Sequence, residues 1–375
     1  MQKLRIVRNA LQDVADDGER VGSQPALDPF PEGWYFVADR RSITKQRLIQ
    51  KQWLGQDIIA WCDDEGAICV ARSVCPHLGS SLSPEAGACV RDGLLVCPFH
   101  GFAYNAEGAC VATPYAEPPK SARLSVFETR EIRGLVFAWW GIEGRPPQWG
   151  LPEEPADEGD WSGMEMRTLR FPGHPQETAE NSVDLAHLRY VHGYDSVGAD
   201  GSVTVEGAHL VSRFDFRRRC GIIGFTSILE VSATTHVYGL GYSYVDIREN
   251  SIGIDSRMWV LATPVDGTFI DLVLVGQVRN IRTPKRFAFG LALLPVSLRT
   301  GLMSKMYMFM QERDVLQDVK IWERKSYRTH PRLCRSDGAI GKYRRYCRQF
   351  YPNTPYADRD HSRKPTRTHR SSAAD

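Results

Sequence analysis

The sequence predicts an α+β chain of two domains: a small all-β domain, then a larger one whose antiparallel sheet carries its helices on one face. Three observations predict this. Across residues 34–143, short β-rich runs alternate with turns marked by Gly66, Gly93 and Gly108. Residues 144–163, from Gly144-Arg145-Pro146-Pro147 through Glu153-Glu154-Pro155, are rich in proline, glycine and acid, as a linker is. Beyond it, residues 164–351 place strand-like runs ahead of a long helical pattern, the arrangement of helices packed on one side of a sheet.

The elements follow in order. Residues 1–33 are mixed, with Asp16-Asp17-Gly18-Glu19-Arg20 and proline-rich ends, and read as a loose arm. Asp57–Trp61, Ala67–Ala71 and Leu135–Trp140 are strands of the first domain. The second domain opens on a helical run from Glu177 to His192. Strand-like runs follow at Leu210–Phe216, Gly224–Val231, Ile252–Thr263 and Phe269–Val278, and the pattern turns helical again from Lys285 to Lys325. The tail, 352–375, is basic and poor in apolar residues and is expected to be disordered. No long-period repeat is visible.

With 375 residues, 42% of them hydrophobic, the chain is long enough for two cores. A net charge of only +2 excludes a nucleic-acid binder of the basic kind. The N-terminus is polar and has no apolar core of a secretory signal. The most apolar segment, Phe287–Leu298, contains Pro295 and is too short to span a bilayer, so no membrane span is expected; it reads as a core helix or as a lip facing a greasy substrate. Two of the nine cysteines belong to the motif below. Cys62, Cys69, Cys89, Cys110, Cys220, Cys334 and Cys347 remain, an odd number without a disulfide framework, which suits a reducing cytoplasm.

The chemistry begins at Cys75-Pro76-His77 and Cys97-Pro98-Phe99-His100. Two thiolates and two imidazoles in two short loops form the ligand set of a Rieske [2Fe–2S] centre, with Cys₂ on one iron and His₂ on the other. Zinc also accepts Cys₂His₂ sets, but finger-type sites keep their cysteines as one close pair and their histidines as another. Here each pair is mixed, so each loop offers one ligand to each iron. Gly79 and Gly101 allow the backbone to turn tightly behind the ligands. The interval from His77 to Cys97 contains an excess, Pro84–Cys89, which reads as a surface loop.

A second constellation lies in Asn181-Ser182-Val183-Asp184-Leu185-Ala186-His187-Leu188-Arg189-Tyr190-Val191-His192. Five helical residues are about 140° of rotation, so His187 and His192 meet at one metal only where the helix bulges or ends. Asp184, one turn before His187, is placed to accept the imidazole's second N–H. A His pair on a helix is by itself more often packing than ligation. A one-electron carrier, however, needs only on the order of a hundred residues, and a larger domain behind a cluster must use the electron. A 2-His-1-carboxylate iron site has open positions for O₂. Its carboxylate is sought in the late helix among Glu312, Asp314, Asp318 and Glu323, where Asp314 and Asp318 share a face and Asp314 reads as a solvated residue.

With both motifs together, residues 33–351 resemble the Rieske non-haem iron oxygenases. The resemblance implies a helix-grip catalytic domain, mononuclear Fe(II) at His187 and His192, Asp184 as the bridge for an incoming electron with Asn181 beside it in the motif, and a head-to-tail homotrimer. Asp318-x-x-Ile321-Trp322-x-x-Lys325 resembles the ligand segment of 3-ketosteroid 9α-hydroxylase oxygenases and cholesterol 7-desaturases, which favours Asp318 as third ligand. Pro331-x-Leu333, Asp337-Gly338-x-Ile340 and Tyr343-Arg344-Arg345-Tyr346-x-x-Gln349-Phe350-Tyr351 resemble the C-terminal segment of the same enzymes. The subfamily implies O₂-dependent hydroxylation or desaturation of a large hydrophobic, steroid-like substrate, in a form closer to the soluble bacterial enzymes. An aromatic or O-methyl substrate is the alternative, and a Rieske electron-transfer protein without oxygenase activity is the alternative of another class. Apolar residues of the strands (Phe225, Ile228, Leu229, Tyr242, Met258, Trp259, Leu272, Leu274) are candidates to line the cavity. No G-x-G-x-x-G follows a strand, and Gly239-Leu240-Gly241 lies in a strand-like run. Hydride must therefore be accepted by a separate NAD(P)H-dependent flavin and iron–sulfur reductase docking near His77 and His100.

Overall fold

A computed structural model describes residues 5–6, 27–153, 160–199, 203–222, 225–251, 253–282 and 293–352. The first domain is all β apart from one short helix. A three-stranded sheet of β2 (Gly33–Asp39), β10 (Thr129–Ile132) and β11 (Leu135–Trp140) sits beside a second of β3 (Leu48–Trp53), β4 (Gln56–Cys62) and β5 (Ile68–Arg72). Helix α1 (Arg40–Gln46) joins β2 to β3. Four short strands, β6 (Cys89–Arg91), β7 (Leu94–Val96), β8 (Ala103–Tyr104) and β9 (Cys110–Ala112), form a third sheet. The unbroken apolar run of β4 follows from burial on both faces. Ile59 and Trp61 enter the core under the Cys/His loops, while Ile58 and Ala60 enter a second core shared with Tyr35 and Val136.

The second domain is one large sheet in the order β1-β12-β19-β18-β17-β16-β15-β13, with β14 also on β15. Its strands are β1 (Arg5–Ile6), β12 (Glu165–Pro172), β13 (Asp195–Ala199), β14 (Thr204–Glu206), β15 (His209–Ile222), β16 (Phe225–Tyr238), β17 (Tyr242–Glu249), β18 (Ile254–Pro264) and β19 (Phe269–Val278). Every pairing is antiparallel except β1 on β12. Side-chain alternation divides the sheet cleanly. Trp259, Leu261, Val273 and Val275 face the first domain and meet Trp34, Phe36, Phe137 and Trp139. Ala262, Leu272 and Leu274 face the other way, onto Met308, Val319 and Trp322 of α4 (Val296–Trp322). Backbone bonds tie the domains as well: Leu54 and Gly55 N–H donate to the carbonyls of Pro264 and Val265, at 2.9 and 2.8 Å.

Several expectations change. The helical run Glu177–His192 is three pieces: α2 (Pro175–Ala179), a 3₁₀ turn (Glu180–Ser182) and α3 (Leu185–Tyr190). Proline at N1 starts the first piece, and the Asp184 carboxylate caps a new start for the last. Strands Glu165–Pro172 and Tyr242–Glu249 were not anticipated, and Gly239-Leu240-Gly241 forms the turn between β16 and β17 rather than strand. The end of the expected arm is docked, not loose. Glu32 is buried and its N–H donates to the Phe350 carbonyl at 2.9 Å, and residues 5–6 pair with Leu169 and Arg170. Residues 283–292, in the first part of the expected late helix, and 353–375 of the tail lie outside the described residues. Within the linker, Trp149 packs against Trp139 and Phe350 at ring separations of 4.6 and 5.1 Å. The C-terminal helix α5 (Gly338–Cys347) buries Tyr343, Tyr346 and Cys347 against the back of the sheet's turn. Among the described residues no helix is long and apolar enough to cross a membrane.

Helix α4 reaches the sheet because Gly276 has no side chain. A Cβ there would stand 2.1 Å from Met308 Sδ and 3.1 Å from Tyr307 Cε1. Gly276→Val is expected to destabilise the fold by about 1–3 kcal/mol through overpacking, read as a lower denaturation midpoint. An unchanged midpoint would show that the helix has room to shift.

Candidate metal centres and the cavity between sheet and helix

The two Cys/His loops share one backbone design. Cys75 N–H donates to the Ser80 carbonyl at 2.9 Å and Gly79 N–H to the Cys75 carbonyl at 2.9 Å. In the second loop Cys97 N–H donates to Phe102 at 2.8 Å and Gly101 N–H to Cys97 at 3.1 Å. Both glycines take positive φ, +77° and +69°. The cysteines are buried and the histidines half-buried, with the His77 and His100 rings 4.9 Å apart. His77 stacks on Phe102 and His100 lies under Phe99. Tyr104 Oη stands 3.1 Å from Cys75 Sγ, a contact able to tune a bound cluster. Burial pushes the Cys75 thiol up, and the neighbouring Cys97 thiol adds to the shift.

The donor set tests which metal fits. Around one tetrahedral zinc, sulfur and nitrogen ligands lie about 3.5–4 Å apart. Among the described residues, the His, Cys, Asp and Glu side chains that bring three ligand atoms within 4.8 Å of one another are His187, His192 and Asp318 alone. In the two loops the imidazoles stand edge to face, 4.9 Å apart, with both thiols buried, so each loop gives one sulfur and one nitrogen. That is the division a two-iron cluster asks for. Pro84–Cys89 is, as expected, an exposed turn up to Gly87, and Cys89 begins β6.

The second constellation converges. Helix α3 ends at Tyr190, and His192 lies beyond it with no bulge needed. Gly193, at φ +68°, reverses the chain, and Tyr194 N–H closes the turn on the Leu188 carbonyl at 2.9 Å. His187 Nδ1–H donates to the backbone carbonyl of Asp184, and His192 Nδ1–H to Gln317 Oε1 at 3.0 Å. Both rings are thereby held with Nε2 as the available ligand. His192 Nε2 is 3.4 Å from Asp318 Oδ2. Burial pushes His187 down, toward the neutral form a metal needs. His192 feels the same burial, but the Asp318 carboxylate outweighs it and holds the ring above its usual value. Three donors of 2-His-1-carboxylate type, buried or half-buried at single-ion spacing, fit a mononuclear iron.

Two site expectations are corrected in detail. The Asp184 carboxylate does not reach the His187 ring. It caps α3, accepting from Ala186 N–H at 3.0 Å and His187 N–H at 3.4 Å, because a helix start needs its orphan donors satisfied. Asp314 is not solvated. Its Oδ2 accepts from Tyr194 Oη at 2.7 Å and pairs with Arg218 Nη2 at 3.3 Å. Of the other acids considered, Glu312 pairs with Arg167 at 3.5 Å and Glu323 with Arg324 at 3.4 Å. Gln317 and Tyr104 went unrecognised in the sequence. Gln317's adjacency to Asp318 was the available signal.

A cavity of about 250 Å³ opens beside the triad, between the inner face of the sheet and α4. Asn181, His187, His192 and Asp318 form its floor. Met303, Met306 and Met310 on α4 face Leu229, Val231, Val245, Ile247, Met258 and Val260 on the strands. Of the residues expected to line it, Leu229 and Met258 do. Tyr242, Trp259, Leu272 and Leu274 belong to the core, and Ile228 is exposed. Strand alternation decides this, since one step along the strand turns a side chain to the other face. The side chain of Phe225 lies outside the described residues.

Comparison with known proteins agrees with this geometry. Residues 33–128 match the Rieske [2Fe-2S] domain, and residues 138–351 match the 3-ketosteroid 9alpha-hydroxylase C-terminal domain. A cholesterol 7-desaturase of Caenorhabditis elegans is 27% identical over 362 residues, covering 92% of this chain and 82% of the relative. The oxygenase component of a 3-ketosteroid-9-alpha-monooxygenase of Rhodococcus rhodochrous is 27% identical over 340 residues, covering 87% and 86%. The fold is similar to dicamba monooxygenase bound to dicamba (TM-score 0.58, 16% identity, covering 85% of this chain and 96% of that one). It is also similar to NdmA of Pseudomonas putida CBB5 with caffeine (TM-score 0.62, 14% identity, covering 84% and 89%).

His187→Ala is expected to keep the visible spectrum of the cluster while lowering iron by one atom per chain, measured by metal analysis of anaerobically prepared protein. Equal iron in variant and parent would remove His187 from the ligand set.

Proposed function

The chain belongs to the Rieske oxygenases that carry a 3-ketosteroid 9alpha-hydroxylase C-terminal domain, and from that premise we propose that it oxidises a steroid- or sterol-like substrate at a mononuclear iron held by His187, His192 and Asp318. The cavity carries this reading. It is walled by aliphatic and methionine side chains, and methionine adapts to irregular apolar shapes. Its volume of about 250 Å³ approaches the range of small-molecule sites. The names of the relatives, a cholesterol desaturase and a ketosteroid monooxygenase, agree with it.

When bound, the mononuclear iron would supply O₂ activation and the cluster, on Cys75, His77, Cys97 and His100, single electrons. The chain's own residues do the positioning. His187 and His192 are held by Asp184 and Gln317 in the tautomer that offers Nε2. The apolar walls orient the substrate and exclude water from the reacting face. Asp184 is half-buried, and its main chain touches the His187 ring, which supports it as the bridge for the incoming electron, with Asn181 lining the cavity one helical turn before it. The half-exposed His77 and His100, ringed by exposed Leu78, Phe99 and Tyr115, support docking by a redox partner there and a head-to-tail homotrimer. The electron source is an NAD(P)H-dependent flavin and iron–sulfur reductase. Free thiols throughout the described cysteines support a cytoplasmic setting.

The purified chain is expected to consume no NADH with substrate until a reductase is supplied; robust unaided turnover would contradict the proposal. A panel of steroids and smaller aromatic ethers, incubated with a surrogate reductase and read by mass, separates gain of oxygen from loss of hydrogen, and steroid from aromatic chemistry. Asp184→Asn keeps the helix cap and is expected to retain both metals while losing most of the rate. Turnover as fast as the parent would rule out the Asp184 carboxylate as the bridge, because asparagine keeps the main-chain carbonyl that holds His187.

A further inference from the structure

We propose that Arg218 and Tyr307 form a subsite for a neutral oxygen of the substrate, a ketone carbonyl or a hydroxyl, set one to three turns of α4 from the iron-binding triad. The inference rests on the apolar polycyclic substrate proposed above and names the group by which such a substrate is held.

Among the described residues that line the cavity, Arg218 is the one lysine or arginine. It comes from β15 and is mostly buried, at 16% side-chain exposure. A guanidinium carries five N–H donors. One nitrogen, Nη2, engages Asp314 at 3.3 Å, and the cation lies 5.0 Å over the Tyr194 ring. Tyr194 donates its hydroxyl to the same Asp314 oxygen at 2.7 Å. These contacts fix the guanidinium in place and cancel its charge, yet leave other N–H groups on a guanidinium that lines a mainly apolar cavity.

Tyr307 supplies the second observation. Its hydroxyl is buried and has no hydrogen-bond partner, although Ser256 approaches it and the Arg218 charge acts on it. Tyr307 also lines the cavity. A buried hydroxyl left unpaired is costly, and the cost is removed when a ligand oxygen accepts its hydrogen bond.

The charge balance selects the ligand. An anionic group would meet Asp314 and Asp318 as well as Arg218, whereas a neutral acceptor takes hydrogen bonds from Arg218 and Tyr307 without that repulsion. Geometry sets the reach. At 1.5 Å per residue, Asp314 and Tyr307 lie about 6 and 16 Å along α4 from Asp318. An oxygen held between them places a carbon some rings away against the triad, so this anchor selects which carbon is attacked.

The test titrates iron-loaded protein with androstenedione, which carries ketones, and with androstane, the same skeleton without oxygen. Binding is read by quenching of tryptophan fluorescence, since Trp322 lines the cavity. The parent is expected to favour androstenedione by roughly tenfold or more. Arg218→Gln and Tyr307→Phe are each expected to erase most of that preference and leave androstane binding unchanged. Equal weakening toward both probes, or an unchanged preference, would overturn the subsite and leave the Arg218–Asp314 pair as a brace. Should Arg218→Gln fail to fold, Tyr307→Phe decides alone, because it removes only an oxygen atom. Parent protein that binds both probes equally loses the subsite but keeps the proposed substrate class. Parent protein that binds neither loses both.

Discussion

One constraint organises the molecule: the large antiparallel sheet is covered on both faces by different partners. The first domain takes one face through Trp259, Leu261, Val273 and Val275, and α4 takes the other through Leu272 and Leu274. Because side chains alternate, neither partner can shift by one residue without turning apolar groups to the wrong side. α4 is thus set at a fixed height, pressed against Gly276. That height delivers Asp318 to the histidines of the α3 segment. A ligand from one end of the domain meets two from the other because a sheet of fixed register lies between them.

Electrostatics follow the same division. The floor of the cavity holds the donors, and Asp184 and Gln317 support the two imidazoles from behind it. Behind α2, Glu180 accepts from Arg344 at 2.7 Å and from Lys325 at 3.1 Å, so the C-terminal helix and the segment after α4 both clamp the turn that precedes Asp184. These ion pairs hold Glu180 below its ordinary value in spite of burial, whereas burial leaves neighbouring Glu177 raised. The walls are mainly apolar, although Arg218, Glu249 and Asp314 also line them, and the apolar surface keeps the reacting region dry.

The chemistry was legible in the sequence wherever residue type alone restricts it. Cys75, His77, Cys97 and His100 stand in loops whose spacing admits few other uses, whereas Asp318 stands out among four acids only through the resemblance of its segment to that of the steroid-acting enzymes. An irregularity before His192, a bulge or an end, was legible too, because about 140° of rotation keeps two imidazoles on a regular helix from one metal. Other features depend on partners distant in sequence. Asp314 reads as solvated until Arg218 and Tyr194 are brought to it across the sheet. The Asp184 carboxylate has two local uses, a ring or a helix cap, and only the backbone geometry decides between them. The cavity wall needed the phase of each strand. Leu229 and Met258 point in, while Trp259, equally apolar and next in sequence, points to the other domain. Strand Tyr242–Glu249 was hidden by its polar outer face.

Trp149 carries a consequence for how the protein comes apart. It lies in the stretch connecting the domains. Its ring is wedged between Trp139 of the first domain and Phe350 near the chain's end, and its carbonyl receives the Trp34 indole N–H at 2.9 Å. A single aromatic thus locks front domain, connector and C-terminal segment together. The fold has no free hinge at that point, and the halves should melt as one cooperative block, with amide protons on both sides gaining and losing protection together.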